Sequence, residues 1–199
     1  MLAEEATRGL LELVQAELLA RCPWPTALYM LPSSSFHQTI ANTLSQERFI
    51  DGIVKPGLEA TFPQRVRDVF HRLAPGDEPP VMRLIGLSIF GTALGVLGIF
   101  DQEESYQRIL HFREAFYGDA GMAALEVRRT RPFIGHVTLA YVEADLEFTR
   151  REALAAAAHE LNREFFSGPS FFPFEGTELR RYDHLSEFKG DPTYPRYTL

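Results

Sequence analysis

Apolar residues recur along this chain with two periods, near four and near two, and the switches between them mark its elements. Leu10, Val14 and Leu18 share one face with Leu11 beside them, which predicts a helix over 2–21 that Pro23 and Pro25 stop. Ala27 to Leu31 reads as a short apolar strand ending at Pro32, Ser33 to Ser35 as a loop, and Phe36 to Thr43 as a second strand. Residues 44–60 show no period and carry Pro56-Gly57 as punctuation. A second helix opens at Thr61. Thr61 and Gln64 have the spacing of a capping box, and Phe62, Val66, Val69, Phe70 and Leu73 form its buried stripe. Pro75 to Pro80 is a loop.

Leu84 to Phe100 is a run without a charge. As a membrane span it would be at the short limit, and it contains four glycines and has no basic flank cluster. Two buried strands turning at Gly91-Thr92 account for it better. A third helix is predicted over Glu103 to Tyr117, with Tyr106, Ile109, Leu110 and Phe116 inward, and Gly118 and Gly121 break it. Phe133 to Val142 alternates as a strand. A fourth helix begins at a second capping box, Thr149 and Glu152, and buries Leu154, Ala158, Leu161 and Phe165. Phe171 to Tyr182 is strand-rich but broken by Pro173 and Gly176, and from Asp183 the chain is polar and turn-rich. Strands come in pairs and do not alternate strictly with helices. The expected class is therefore α+β with mostly antiparallel sheet, as one unit over 1–199 with two pseudo-equivalent lobes.

Composition narrows the function. The chain is 45% hydrophobic and 24% charged, ordinary for a soluble globular protein. One cysteine, Cys22, excludes an internal disulfide and a cysteine-rich zinc site, and fits a cytoplasmic location. A net charge of −7 argues against long duplex DNA as partner, while leaving room for a small phosphate in a local basic pocket. His159-Glu160 starts a zinc-protease-like string, but Arg163 stands where its second His is required.

The candidate chemistry lies in a duplicated string. His37-Gln38-Thr39-Ile40-Ala41 returns as His136-Val137-Thr138-Leu139-Ala140. Six His and twelve Thr predict about 0.4 His-x-Thr matches by composition. On a strand, His and Thr at i and i+2 point the same way, so His37 with Thr39 and His136 with Thr138 form two imidazole–hydroxyl couples. Facing one another, one neutral imidazole would remove a proton from a nucleophile while the other, protonated, gives one to a leaving oxygen. The two hydroxyls would hydrogen-bond non-bridging phosphate oxygens. This chemistry needs neither metal nor cofactor.

These residues resemble the two-histidine phosphoesterases, a superfamily that includes cyclic nucleotide phosphodiesterases and bacterial RNA 2′-5′ ligase-like proteins. Arg131-Pro132-Phe133-Ile134-Gly135-His136-Val137-Thr138-Leu139-Ala140 is similar to the second motif, with Gly135 where Pro is usual. Leu31-Pro32-Ser33-Ser34-Ser35-Phe36-His37-Gln38-Thr39 is similar to the first motif of a little-studied branch. The likeness in element order runs from Ala27 to Tyr182. It implies a bilobal α+β domain with a cleft between two antiparallel sheets, His37 and His136 as catalytic residues, and Thr39 and Thr138 as substrate contacts. It further implies a metal-independent hydrolase of a cyclic phosphodiester or a 2′-linked nucleotide or RNA end; a monomer away from membranes is the separate expectation. Which His is the base stays open. The alternative is a non-catalytic module that binds a nucleotide or RNA in the same cleft. Secondary candidates are Tyr29 and Phe36 for stacking on a base, Arg128, Arg129 and Arg131 for steering phosphate, and Arg180 and Tyr182 on the last strand. Tyr141, at odd offset from Thr138, is expected on the opposite face of its strand.

Overall fold

The computed structural model describes residues 5–75, 78–184 and 186–199. The predicted starts of the first helix (residues 2–4) and part of the 75–80 loop (76 and 77) lie outside them. Helix α1 (Glu5–Arg21) turns Thr7, Leu11, Val14 and Leu18 inward. After it come β1 (Leu28–Met30), α2 (Gln46–Phe49) running on into a wider π turn to Val54, and α3 (Thr61–Arg72). The uncharged run forms β2 (Val81–Phe90) and β3 (Ala93–Ile99), the predicted hairpin. Gly91 stands at φ +62° while Thr92 keeps an ordinary φ, as a two-residue turn with glycine first requires.

Helix α4 (Glu103–Gly118) is followed by α5 (Ala120–Ala124), β4 (Gly135–Val142) and α6 (Phe148–Phe165). The last five strands are β5 (Ser170–Pro173), β6 (Gly176–Glu178), β7 (Arg181–His184), β8 (Glu187–Lys189) and β9 (Arg196–Thr198). Every strand pairing among the described residues is antiparallel. Five strands make one curled sheet in the order β1-β4-β3-β2-β5, and β6-β9 and β7-β8 form two ribbons. The expected α+β class with antiparallel sheet and flanking helices is what the chain forms. Among the described residues no helix is long and apolar enough to cross a membrane.

Helices α1 and α6 cover one face of the large sheet, with Leu154, Ala158 and Leu161 of α6 buried there. Helix α3 packs with α4, α5 and β9 around an aromatic cluster of Phe70, Phe112, Phe116 and Tyr197. The two predicted capping boxes do not form. The turn before α3 supplies Leu58 O to the amides of Thr61 and Phe62, and Gln64 bonds Asp68 and Arg67 along the helix. Helix α6 starts one residue before Thr149, with Glu147 at its N-cap. Sequence spacing gave the residue types for a cap, but backbone donors already had partners.

One predicted strand is not one. Residues 36–45 form a single bridge at His37 and otherwise run without a ladder, after a 3-10 turn over Ser33–Ser35. Side chains supply the missing bonds. Arg113 of α4, 3% exposed, donates to Ile40 O and, at 2.8 Å, to Arg131 O. The Tyr117 hydroxyl donates to Asn42 O at 3.0 Å, and Arg131 Nε reaches Asn42 Oδ1 at 3.2 Å. The guanidinium of Arg113 lies 5.4 Å from the Tyr117 ring centre and 5.7 Å from that of Phe133. Carbonyls and ring faces thus hold a buried cation, and burial lowers its pKa. Arg113 and Arg131 thus tie the first motif's segment to the approach of the second, and Tyr117 ties it to α4.

Candidate active site

The two motifs arrive on different backbones. His136 and Thr138 stand on β4, inside the large sheet, where Leu97 pairs with His136 and Gly95 with Thr138. Both side chains point away from the apolar face that buries Val137 and Leu139, as the alternation predicted. His37 and Thr39 stand on the irregular segment, both half-buried, flanking Gln38 and Ile40, which are almost wholly covered.

Both imidazoles are nevertheless anchored alike. His37 Nδ1 lies 2.7 Å from Ser35 O, and His136 Nδ1 lies 2.8 Å from Ile134 O. In each case the partner is the carbonyl two residues earlier. A carbonyl only accepts, so Nδ1 carries the proton and a neutral ring holds its lone pair on Nε2. Both motifs therefore offer the same nitrogen to a ligand. The side chain of Gln38 accepts from the His136 backbone N–H and donates to Ile134 O at 3.4 Å, which joins the two motifs directly.

The surroundings of the two rings differ. The ring of Phe188 on β8 lies 4.1 Å from that of His37, and Tyr182 on β7 packs on Phe188 at 5.5 Å. Arg180 holds this ribbon by donating to Phe188 O at 3.0 Å while its Nε bonds Glu178 at 2.6 Å. Burial pushes the His37 pKa down to about 4. The bond to Ser35 O opposes this, and the positive charges of His136 and Arg180 add to it. His136 instead meets the edge of Phe90 at 5.2 Å. That ring lies over Gly95, where an added Cβ would come 3.1 Å from Phe90 and 2.7 Å from Val137 O, so only glycine fits.

A cavity of about 450 Å³ opens beside His37 and Thr39. The polar residues Asn42, Thr43, Thr130 and Thr177 line it, together with Arg131, Arg180, Phe70 and Phe116. Tyr182 also lines it. His136 and Thr138 are not part of that wall; they face the open side of the sheet. Among the described residues no three His, Cys, Asp or Glu side chains converge as metal ligands.

Tyr141 was expected on the opposite face from Thr138, and it is not. In the β3–β4 ladder Leu94 pairs with Ala140 and Gly95 with Thr138, so Leu139 is an extra, bulged residue. The bulge reverses the parity of the strand beyond it. Tyr141 consequently shares the His136 face and meets the Thr138 hydroxyl. Burial raises its pKa, against the effect of that hydrogen bond. On the β1 side of β4 the Leu139 carbonyl accepts from Leu31 N at 2.9 Å and from Gln15 of α1 at 2.8 Å.

Of the secondary candidates, Phe36 is core at 1% exposure, whereas Tyr29 is exposed and stands beside His184, with ring centres 5.5 Å apart. Arg131, Arg180 and Tyr182 reach the cavity; Arg128 and Arg129 do not line it. Gln38, Arg113 and Phe188 were not anticipated. Gln38 had one local signal: it is polar where the second string has Val137. Gly135 fits close packing, since a Cβ there would lie 2.4 Å from Met82 Sδ and 2.7 Å from Gly98 O.

No family model matches this chain, and no curated protein matches it either. Solved structures share its fold, two of them as follows. The chain is similar to TT0787 of Thermus thermophilus with a TM-score of 0.54 and 17% identity, covering 98% of this chain and 93% of that one. It is also similar to ATU0111 of Agrobacterium tumefaciens, a conserved protein of unknown function, with a TM-score of 0.63 and 18% identity over 94% of this chain and 80% of that one.

Proposed function

We propose that the protein is a metal-independent phosphodiesterase of the two-histidine type, hydrolysing a cyclic phosphodiester or a 2′-linked nucleotide or RNA end. The observation that carries this reading is the matched anchoring of two imidazoles, each with Nδ1–H on the carbonyl two residues back and Nε2 left for a ligand. His37, held neutral by burial, is the base: its Nε2 takes the proton of the attacking water or hydroxyl. His136, on the more open side, gives a proton to the departing oxygen. The hydroxyls of Thr39 and Thr138 donate to the non-bridging oxygens as phosphorus becomes five-coordinate.

The test is turnover of a small library of cyclic phosphates by the wild type and by His37→Ala and His136→Ala. Each substitution is expected to lower kcat by roughly two to four orders of magnitude in a folded protein. Turnover that survives either substitution, or that requires added metal after chelation, would overturn the reading. A second reading is a module that binds a nucleotide without cleaving it. It draws on the cavity beside His37, whose wall leaves out His136 and Thr138. Calorimetric binding with no turnover across the same library would favour it.

A further inference from the structure

Gln38 is the one position where the two five-residue strings differ in chemistry. Its counterpart is Val137, and both are 0% exposed. Burying an amide where a valine fits the same string costs free energy unless its polar atoms are bonded. They are. The Nε2 group donates to Thr39 O at 2.9 Å and to Ile134 O at 3.4 Å, and Oε1 accepts from the backbone N–H of His136. Ile134 O is also the carbonyl that anchors the His136 ring, at 2.8 Å from Nδ1. One carbonyl is thus shared between the Gln38 amide and the second imidazole, while the residue before Gln38 is the first imidazole.

We propose that Gln38 is the positioning residue that fixes the two imidazoles relative to each other, acting on His136 through Ile134 O and the His136 amide. The proposal rests on the phosphodiesterase reading for its kinetic consequence alone. Its physical content is testable without substrate. The grip on the His136 N–H sets how far β4 stands from His37. The bond to Ile134 O fixes the orientation of the carbonyl that anchors Nδ1–H, its two lone pairs serving the two donors, so that losing it loosens the His136 anchor. A misplacement on the order of 1 Å between reacting groups is worth about 100-fold in rate.

The experiment uses the full chain carrying Gln38→Met, which keeps length and removes both donors and the acceptor, and Gln38→Glu, which keeps the acceptor and removes the donors. Imidazole NMR of the free protein reads the Nδ1–H signal of His136, and kinetics read kcat and KM separately. The expected result is a shifted, faster-exchanging His136 Nδ1–H signal in Gln38→Met. Its kcat falls about 10- to 100-fold and its KM stays within about threefold. Gln38→Glu, which retains the bond to the His136 amide, lies between Gln38→Met and the wild type. A His136 signal unchanged in both variants overturns the proposal, and so does a changed signal with unchanged kcat. If no phosphodiester is cleaved by the wild type, the phosphodiesterase reading fails, and the NMR arm still decides whether Gln38 holds the His136 ring. Should Gln38→Met not fold, the decision passes to Gln38→Glu.

Discussion

The same five-residue string occupies two unlike backbones in this molecule. Around His136 it is a strand held by ladder bonds to β3; around His37 it is an irregular segment held by the side chains of Gln38, Arg113 and Tyr117. The anchor on each ring is nonetheless the same, Nδ1–H on the carbonyl two residues earlier. What differs is the covering. His37 lies under Phe188, with a pKa pushed down to about 4, whereas His136 meets the edge of Phe90 on an open sheet face. A short motif therefore fixes which ring nitrogen is presented, and the surrounding elements fix what that nitrogen does.

The largest expected break in this comparison is kinetic. Beyond the loss of roughly two to four orders of magnitude in each His→Ala variant, the roles should separate by pH. The wild-type rate is expected to lose its acid limb near pH 4, where His37 takes up a proton. Rate measurements from pH 3.5 to 8 check this, with the observed limbs belonging to the pair.

The next is a difference in stability. Unfolded, His37 titrates at the ordinary 6.5; folded, at about 4. Between those values the unfolded chain binds more protons, so this contribution is complete above pH 6.5 and is lost as pH falls towards 4. Its size is on the order of 3 kcal/mol. Urea unfolding across pH 4–7 should show this slope in the wild type and in His136→Gln, and lack it in His37→Gln.

Gly95→Ala should cost about 1–3 kcal/mol, because the new Cβ meets Val137 O and the Phe90 ring together. A thermal melt checks the loss, and the His136 ring should lose its Phe90 contact. The smallest effect expected is from Phe188→Ala. It uncovers His37 and should move that ring's NMR titration up towards 6.5, making the two sites more alike.

Much of the architecture was legible because it follows from periodicity. The α1 and α3 stripes, the β2–β3 hairpin and the β4 strand appear where apolar spacing places them. The failures arise from how backbone groups find partners, locally at the start of α3 and over long range elsewhere. Phe36 to Thr43 alternates like a strand, but side chains from α4 take its carbonyls. Leu139 bulges, and its carbonyl is held by Gln15, far away in sequence. No count of offsets could then place Tyr141 on the Thr138 face. The four residues of the candidate site were visible from the repeat, whereas Gln38, Arg113 and Phe188 act through partners that only the folded chain supplies.

The β7–β8 ribbon over His37 has a consequence for biosynthesis. The ring is translated well before its roof, so a nascent chain that still lacks Phe188 carries an uncovered, ordinarily basic imidazole. The environment proposed for the base comes into being only once Phe188 has emerged and docked. Maturation of the site thereby waits on the translation of Phe188.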